Sequence, residues 1–425
     1  MKRAFETNCV HGSYTAESGQ PQVFPIVQST TFRYYNANDL AEIFDLDSAN
    51  FFYTRLGNPT VNMMEEKMTL LEGGTAALAS SSGQAATLMA ILNIAAAGDH
   101  ILSASSIYGG THNLIGVTLA KLGIESTFVD QDLSIDEILA FAKPRTKAVF
   151  GETIGNPALT VLDFEKFSKI AKKLGVPLII DNTLASPALS RPFEHGADII
   201  VHSLTKYADG HSTCIGGITI ESGKFDWSAS GKFPGMVEPD PSYHGIRFYE
   251  KFGEAAFSVK MRGQLLRDLG CTMAPMNAYL INQGLQTLHL RMERHSENAL
   301  SLAEFLTSHS MVEWVAYPGL KQDKYYALAQ KYMPKGASGI VTFGVRGGRK
   351  AGEKLLEQLR LTSLATTLGE IRTCVLHPAS TTHRQLSDEA QLEAGIKPEL
   401  IRISVGIENI DDIKEDFDYA LDHSK

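Results

Sequence analysis

Apolar and polar positions alternate in blocks through residues 76–221. Short apolar runs, each typical of a buried strand, are separated by segments in which apolar residues recur at helical spacing. Strands are predicted at 76–82, 100–105, 125–130, 147–153, 177–183, 198–204 and 216–221, and helices at 83–97, 111–123, 134–142 and 163–175. This alternation predicts an α/β fold with a mainly parallel sheet covered by helices. A ligand site is expected outside the carboxyl ends of the strands.

The pattern changes after residue 222. Residues 222–258 are rich in aromatic residues, Gly and Pro without a clear period, which indicates an ordered insertion. A long helical stretch is predicted at about 275–308, and strands at 312–319, 339–345 and 400–408 alternate with helices. We therefore expect three units, which are an N-terminal segment at 1–60, a main domain at 61–270 and a smaller C-terminal α/β domain at 271–425.

Composition excludes several classes of function. The formal charge of −9 provides no broad basic field for nucleic acid or acidic lipid. The first residues lack the apolar segment of a secretory signal, and the longest apolar run is too short to span a bilayer. Four widely spaced cysteines are typical of reduced thiols. We expect a cytoplasmic protein with neither nucleic-acid nor membrane partners.

A lysine in an unusual setting directs attention to one segment. Lys206 lies in "SLTKYADGHSTCIGG" (203–217), among hydroxyl groups and glycines, just after a predicted buried strand. A lysine amine can form a Schiff base with a carbonyl, and the aldehyde of pyridoxal phosphate is the commonest partner. Such a site also requires an anion near the pyridine nitrogen, a phosphate cradle, a flat group against the ring and a cation for a substrate carboxylate.

Residues at strand ends are candidates for the first two requirements. Asp181 ends a strand and could keep a pyridine nitrogen protonated; a helix cap or turn residue is the alternative, since Asp is common in both. Gly83 and Gln84 join a strand to a helix, whose N-terminal N–H groups can bind phosphate; an ordinary turn is the alternative. Ser203 and Thr205 flank Leu204 on one side of an extended segment and could add hydroxyl donors.

Two further residues are candidates for the remaining requirements. Tyr108 follows a strand and precedes two glycines, so it could stack on a ring and move protons, or it could be a packed aromatic. Arg402 lies inside an apolar strand, where its planar guanidinium suits a carboxylate; a structural salt bridge is the alternative.

The motifs resemble, in their order along nearly the whole chain, those of the fold-type I pyridoxal-phosphate enzymes of cysteine and methionine metabolism. They are "YTRLGNPT", "SSGQAA", "YGGT", "ETIGNP", "DNT", "SLTKYADGH", "HPASTTH" and "RISVGIE". The resemblance implies a pyridoxal 5'-phosphate cofactor and a mainly parallel sheet with a smaller C-terminal domain. It also implies that Lys206 binds the cofactor aldehyde and that Asp181 contacts the pyridine nitrogen.

The resemblance implies roles for the other positions as well. The residues that would contact the phosphate are Gly83, Gln84, Ser203 and Thr205, and Tyr108 would stack on the ring. Asn156 and Thr183 would make further contacts with the cofactor. The substrate would be contacted by Arg402, Asn156 and Thr367. Tyr53 and Arg55 would reach the cofactor phosphate of a neighbouring subunit, within a homotetramer built as a dimer of dimers. Thr367 stands where the family has a serine.

Details of the sequence resemble the branch that uses O-acetylhomoserine. Gly110 occupies a position where methionine γ-lyases carry cysteine, and residues 222–258 resemble the insertion of the sulfhydrylase branch. The expected reaction is γ-replacement, in which O-acetylhomoserine and a sulfur donor give homocysteine for methionine biosynthesis. A cystathionine γ-synthase-like reaction with cysteine and a non-catalytic cofactor-binding protein are the alternatives. The resemblance assigns no role to Cys214.

A metal site is not expected. His377 and His383 lie in "HPASTTH", but no carboxylate or cysteine completes a set at ligand spacing. A structural turn is the preferred interpretation of this segment.

Overall fold

The larger sheet holds seven strands in a computed structural model that describes residues 3–382, 384, 387, 391 and 395–424. Their order across the sheet is β1-β7-β6-β5-β4-β2-β3. The strands are β1 Ala76–Ser80, β2 His100–Ala104, β3 Glu125–Val129, β4 Thr146–Glu152, β5 Leu178–Asp181, β6 Ile199–Ser203 and β7 Gly217–Glu221. Nearly all residues of β2, β4, β5 and β6 are buried, so both faces of the sheet are covered, which confirms the predicted fold class.

Strand β7 departs from the parallel arrangement. It runs antiparallel to both of its neighbours, β1 and β6, while the other pairs in the sheet are parallel. The physical reason is the connection, because no crossover helix follows β6, and the chain reverses through the loop 204–216. Lys206 lies in this loop, which starts at the carboxyl end of the parallel strands.

The helices agree with the predicted segments in most places. Helix Phe164–Leu174 illustrates the local cause: the Asp163 side chain accepts a hydrogen bond from the Lys166 N–H, and Gly175 ends the helix at φ 64°. The α-helices are Phe5–His11, Ala37–Phe44, Pro59–Glu72, Gly83–Leu92, Gly109–Asn113, Leu119–Lys121, Ile135–Ala140, Phe164–Leu174, Ser186–Leu189, Pro234–Val237, Phe248–Phe252, Ala256–Met261, Arg267–Leu269, Pro275–Gln286, Leu288–Ser308, Tyr326–Tyr332, Gly348–Gln358 and Ile410–Asp422. Short 3₁₀ segments are Pro192–His195, Pro241–Tyr243, Gly253–Ala255 and Pro378–Ser380, and π segments are Leu114–Thr118 and Arg262–Leu266.

Two helix predictions need correction. The helix predicted at 111–123 contains the π segment Leu114–Thr118, in which the wider turn adds a residue that 3.6-residue periodicity does not reveal. The stretch predicted at 275–308 is two helices that meet at Thr287. Just before this break Gly284 lies against the loop of Lys206, where an added Cβ would come within 2.3 Å of the Ala208 carbonyl oxygen.

The smaller sheet is mostly antiparallel and has the order β10-β11-β12-β9-β8. Its strands are β8 Val312–Ala316, β9 Ile340–Val345, β10 Ser363–Leu364, β11 Cys374–Leu376 and β12 Leu400–Ser404. Segment 365–373 between β10 and β11 meets the loop of Lys206, because the Ile371 N–H donates to the Gly210 carbonyl at 3.0 Å. This contact brings Arg402 of β12 towards the carboxyl end of the larger sheet.

Residues 222–258 form an ordered segment with short helices. Its centre is an aromatic cluster in which Trp227 packs on Phe225, Phe233 and Phe257, with ring centroids 4.7–5.5 Å apart. Burial of these large rings explains why the segment is ordered without a periodic pattern. Among the described residues, no helix is both long and apolar enough to cross a membrane.

Glu221 predicts a pH dependence of stability. This buried carboxyl accepts hydrogen bonds from the N–H groups of Phe257 and Ser258, and burial raises its pKa from 4.5 to about 7. The folded chain therefore keeps the Glu221 proton at a pH where the unfolded chain has lost it. The contribution of Glu221 to the free energy of unfolding is fully present below pH 4.5 and is lost as the pH rises through 7. The protein is therefore expected to become less stable over that pH range.

Glu221→Gln should remove this dependence, because an amide does not titrate. The measurement is the thermal unfolding midpoint of wild type and variant at several pH values from 5 to 8. We expect the midpoint of the wild type to fall more steeply with pH than that of the variant. Parallel pH profiles would contradict the raised pKa of Glu221.

Candidate active site

A cavity of about 230 Å³ opens at the carboxyl ends of the parallel strands. Its lining combines hydroxyl, amide and charged side chains with a few apolar ones. The lining residues are Ser82, Gly83, Gln84, Thr87, Tyr108, Thr111, Glu152, Ile154, Asn156, Asp181, Thr183, Leu184, Ser203, Thr205, Lys206, Ile215, Thr366, Leu368 and Arg402. The cavity thus brings together ten of the thirteen residues predicted from the sequence, and Tyr53, Arg55 and Thr367 do not line it.

Lys206 is held at the cavity by the loop that follows β6. Its N–H donates to the Ser203 carbonyl at 3.2 Å, and its carbonyl accepts from the Gly210 N–H at 2.8 Å, so the backbone on both sides is fixed. Burial, followed by the nearby positive charge of Arg402, lowers the pKa of the Lys206 amine. A lysine in this state has a larger fraction of neutral amine, the form that acts as a nucleophile or accepts a proton, than a surface lysine has.

The N-terminus of helix Gly83–Leu92 forms one end of the cavity. The Ser82 side chain and carbonyl accept from the N–H groups of Ala85 and Ala86, which leaves the first N–H groups of the helix directed at the cavity. An added Cβ on Gly83 would come within 2.6 Å of the Ser203 Cβ. The absence of a side chain at Gly83 therefore creates the space beside the Ser203 hydroxyl.

Two hydroxyl groups are tied into this end. The Thr183 hydroxyl accepts from the Ser203 N–H at 2.9 Å, which joins β5 to the end of β6. The Thr205 hydroxyl exchanges hydrogen bonds with the backbone of Gly216, at 3.1 and 3.3 Å. These hydroxyls, with that of Ser203, line the same cavity as the helix N-terminus and suit an anion with several acceptor oxygens.

Two carboxyls lie side by side at the strand ends. Glu152 and Asp181 are paired residues on β4 and β5, and both line the cavity. Burial raises the pKa of Asp181, and burial followed by the charge of Asp181 raises the pKa of Glu152 well above its usual value. No lysine or arginine forms an ion pair with either carboxyl in the described part of the chain, so a cationic ligand group would be stabilised here.

Tyr108 and Asn156 border the space in front of these carboxyls. The Tyr108 side chain is 50% exposed, so its ring is free to contact a ligand in the cavity. An added Cβ on Gly110 would lie within 2.4 Å of this ring, which shows why the small residue is needed beside it. Asn156 is buried and follows β4 in the loop that also carries Ile154.

Arg402 comes from the second sheet and lacks a carboxylate partner among the residues that the structure describes. Its two terminal nitrogens reach only the Asn156 Oδ1 and the Thr367 carbonyl, each at 3.4 Å, and its buried Nε has no acceptor. Burial lowers the pKa of Arg402 to about 10. A buried guanidinium with unfilled donors is suited to an incoming carboxylate.

Three predicted residues stand apart from the direct lining. Thr367 contacts Arg402 through its carbonyl, while the adjacent Thr366 lines the cavity. Arg55 donates to the Arg267 carbonyl at 2.6 Å and lies 5.3 Å from the Tyr53 ring centroid, outside the cavity of its own chain. Their sequence-based roles remain predictions.

Sequence reasoning missed several lining residues, of which Glu152 is the most consequential. The signal was present, because an acidic residue at the end of the apolar run "KAVFGE" is as unusual as Asp181 at the end of "PLIID". The apolar residues Leu184, Ile215 and Leu368 were also missed, because nothing in a local pattern distinguishes them from core residues.

Cys214 is a partly buried thiol held by the same loop. Its Sγ lies 3.5 Å from the Asp209 Oδ1 and 3.8 Å from the Asn277 carbonyl, and Asp209 also accepts from the N–H and hydroxyl of Thr213. Burial, followed by the charge of Asp209, raises the pKa of Cys214 to about 12. The thiol thus stays protonated and serves as a weak donor that helps to order the loop after Lys206.

His377 makes two structural contacts. Its Nδ1 and Nε2 lie 2.8 Å from the Ser380 hydroxyl and 2.7 Å from the Pro398 carbonyl. His383 lies outside the described residues. Within the described ranges, no group of three or more His, Cys, Asp or Glu side chains has the arrangement of a metal site.

An α/β sheet whose strand ends present a lysine, an aspartate and a helix N-terminus to one cavity is typical of pyridoxal-phosphate-dependent enzymes. The comparison with known families gives the narrower assignment. The chain belongs to the Cys/Met metabolism PLP-dependent enzyme family, whose model matches residues 6–422. It is therefore a pyridoxal-phosphate-dependent enzyme, as the motifs indicated.

Named relatives match nearly the whole chain. An O-acetyl-L-homoserine sulfhydrylase of Leptospira meyeri is 48% identical, over 99% of this chain and 98% of the relative. A homocysteine synthase of Schizosaccharomyces pombe is 44% identical, over 98% of each chain. A crystal structure of a putative O-acetylhomoserine (thiol)-lyase from Campylobacter jejuni, which contains N'-pyridoxyl-lysine-5'-monophosphate, has a TM-score of 0.95 and 38% identity, with 98% and 99% of the two chains covered.

The cavity fits pyridoxal phosphate on its own geometry. The free helix N–H groups and the hydroxyls of the cavity lining suit the phosphate, and the partly buried carboxyl of Asp181 suits a protonated ring nitrogen. The half-exposed ring of Tyr108 borders the space between these two ends. The lowered pKa of Lys206 suits an amine that reacts with an aldehyde.

Gly83→Ala should weaken cofactor binding through the phosphate. The new Cβ would meet the Ser203 Cβ at 2.6 Å and its Cα at 2.8 Å, so the helix N-terminus and the strand end must separate. We expect at least about a tenfold loss of affinity for pyridoxal phosphate. Fluorescence titration of the cofactor-free protein measures this affinity.

The control for this prediction is Gly235→Ala, because the nearest atom to that added Cβ is the Lys260 Cε at an ordinary 3.6 Å. Pyridoxal without its phosphate provides a second comparison, since its weaker binding should respond less to Gly83→Ala. Unchanged affinity for pyridoxal phosphate in Gly83→Ala would show that the phosphate does not lie at this helix.

Proposed function

We propose that the enzyme catalyses a γ-replacement in which O-acetyl-L-homoserine and sulfide give L-homocysteine and acetate. The names of the similar proteins support this reaction, because they include O-acetyl-L-homoserine sulfhydrylases and homocysteine synthases at 42–48% identity. The reaction would supply homocysteine for methionine biosynthesis. Acetate leaves from the γ-carbon of the substrate, and sulfur takes its place.

The single observation that carries the proposal is the unfilled guanidinium of Arg402. It is 9% exposed, its Nε has no acceptor and its other nitrogens make only long contacts. An amino-acid substrate brings one α-carboxylate, and bidentate contact with Arg402 would fill these donors. The α-carbon would then lie between Arg402 and Lys206, which line the same cavity.

Pyridoxal phosphate, when bound, supplies an aldehyde for the substrate amine and a ring that withdraws electrons from the α-carbon. Lys206 then acts as the base and acid of the reaction, and its lowered pKa favours the neutral amine that accepts a proton from the α-carbon. The same amine moves protons at the β-carbon, so that acetate can leave from the γ-carbon and sulfide can add there.

The other lining residues hold the reactants in place. Asp181 would hold a proton at the ring nitrogen, and Tyr108 would stack on the ring and assist proton transfer. Phosphate contacts fall to Gly83, Gln84, Ser203 and Thr205, further cofactor contacts to Thr183 and Asn156, and substrate contacts to Asn156, Thr367 and Arg402. Leu184 and Leu368 limit the access of water to the reacting carbons.

The proposal extends to the assembly. Tyr53 and Arg55 lie outside the cavity of their own chain, which supports a role at a neighbouring subunit's cofactor phosphate. The active form would then be at least a dimer, within a homotetramer of two such dimers, with segment 1–60 at the contact. The domain limits proposed with it are 61–270 and 271–425, and the site of action is the cytoplasm.

The direct test supplies the holoenzyme with O-acetyl-L-homoserine and either sulfide or L-cysteine, and measures acetate, homocysteine and cystathionine. We expect acetate and homocysteine with sulfide. Cystathionine as the main product with cysteine would favour the cystathionine γ-synthase-like alternative. Absence of acetate release with both sulfur donors would contradict the proposed function.

Arg402→Ala should raise the KM for O-acetyl-L-homoserine by about 10- to 100-fold, because a charged hydrogen bond to the α-carboxylate is lost. The absorbance of the bound cofactor should remain, which also reports that the variant is folded. Arg402→Lys keeps the charge without the bidentate geometry and should recover only part of the loss. Loss of the cofactor together with Arg402 would contradict its assignment to substrate.

A mixture of two inactive variants should test the role of Arg55 across subunits. Lys206→Ala lacks the reacting amine, and Arg55→Ala lacks the phosphate contact. If Arg55 acts at the neighbouring site, a mixed dimer contains one site with both residues, and refolded mixtures should regain up to about a quarter of wild-type activity. Activity no higher than that of the separate variants would place both residues at the same site of one chain.

A further inference from the structure

Glu152 is a buried carboxyl that lines the cavity, and the proposed reaction gives it no role. It is 5% exposed, ends β4 and pairs across the sheet with Asp181 on β5. Its position on a strand whose residues are nearly all buried gives its side chain little freedom to move. The question is what a second carboxyl contributes beside Asp181.

The contacts of Glu152 connect two loops of the site. Its Oε1 accepts from the Tyr108 N–H at 2.8 Å, and it also accepts a backbone hydrogen bond from Asn156. Tyr108 precedes helix Gly109–Asn113 and has no side-chain cap of its own, so the carboxyl of Glu152 is what holds this N–H. Asn156 in turn lies 3.4 Å from the Arg402 Nη1.

The charge state of Glu152 follows from its neighbours. The other titratable side chains that line the cavity are Tyr108, Asp181, Lys206 and Arg402. Two adjacent carboxyls away from water do not both ionise easily, because each charge opposes the other and burial opposes both. Burial and the charge of Asp181 together raise the pKa of Glu152, whereas Asp181 is the carboxyl that a cationic ring nitrogen would stabilise.

We propose that Glu152 is a positioning residue that acts as an uncharged carboxyl, fixing Tyr108 and Asn156 while the negative charge of the strand ends resides on Asp181. A single rigid group thereby orients the stacking ring and the amide next to the substrate clamp. Because Glu152 is neutral, it does not compete with Asp181 for the positive charge of the ring nitrogen. The effect of Glu152 on the substrate rests on the proposed function. The uncharged state of Glu152 depends only on the bound cofactor and not on the reaction.

The test compares Glu152→Gln, which is uncharged and of similar shape, with Glu152→Ala, which removes the acceptors. For Glu152→Ala we expect kcat to fall by about 10- to 100-fold and cofactor affinity by about tenfold, because Tyr108 and Asn156 lose their fixed positions. Glu152→Gln keeps an acceptor for the Tyr108 N–H and should stay within about threefold of wild type in both. The absorbance of the substrate-free holoenzyme, titrated with pH, should be the same for Glu152→Gln and wild type.

Glu221 provides a matched control. It is also a buried glutamate at the end of a strand with two backbone N–H donors, but it does not line the cavity. Glu221→Ala should lower the unfolding midpoint without changing kcat per bound cofactor. Glu152→Asp serves if Glu152→Ala fails to fold, because the shorter side chain keeps the acid but withdraws it from the Tyr108 N–H.

Two results would overturn the proposal. If Glu152→Gln shifts the pH titration of the cofactor absorbance, Glu152 carries a charge in the wild type. If Glu152→Ala, or Glu152→Asp in its place, retains wild-type kcat and cofactor affinity, Glu152 does not position the site. The pH titration and the affinity measurement use no substrate, so they stay informative even if the γ-replacement assay fails.

Discussion

The burial of four ionisable side chains in one cavity is the constraint on which the rest of the site depends. Lys206 and Arg402 have lowered pKa values, and Asp181 and Glu152 have raised ones, and burial is the largest cause for each of the four. Such groups are destabilised in their charged forms until a partner of opposite charge arrives. A ring nitrogen would supply such a partner for Asp181, and a substrate carboxylate would supply one for Arg402. The cavity is therefore built for charged ligands, and the buried strands around it supply the stability that this arrangement requires.

The direction of the strands determines how these groups meet. Parallel strands bring Glu152 and Asp181 to the same edge of the sheet, in register. The reversal from β6 to β7 then replaces a crossover helix with the loop 204–216, which can lie across that edge. A helix in this place would have carried Lys206 over a face of the sheet. The second sheet completes the cavity by bringing Arg402 within reach of Asn156.

Much of the site could be predicted because its residues contrast with their local surroundings. A lysine after a buried strand, an aspartate at the end of another and an arginine within a third are each unusual in an apolar context. Cys214 shows the limit of this reasoning. Its thiol stands out in the same segment as Lys206, yet its role is to contact Asp209 and Asn277, which the sequence around it could not reveal.

The sequence by itself determined the order of strands and helices, the fold class and the chemical character of each strand end, because these follow from local periodicity and residue type. Tertiary structure decided which of those residues share one space. The position of Glu152 in the site became evident only from its pairing with Asp181. Thr367 presents its carbonyl to Arg402 because segment 365–373 meets the loop of Lys206. The reversed direction of β7 and the π segment at 114–118 also depended on long-range packing. Contacts between residues distant in sequence depend on how the whole chain packs, and no local pattern carries that information.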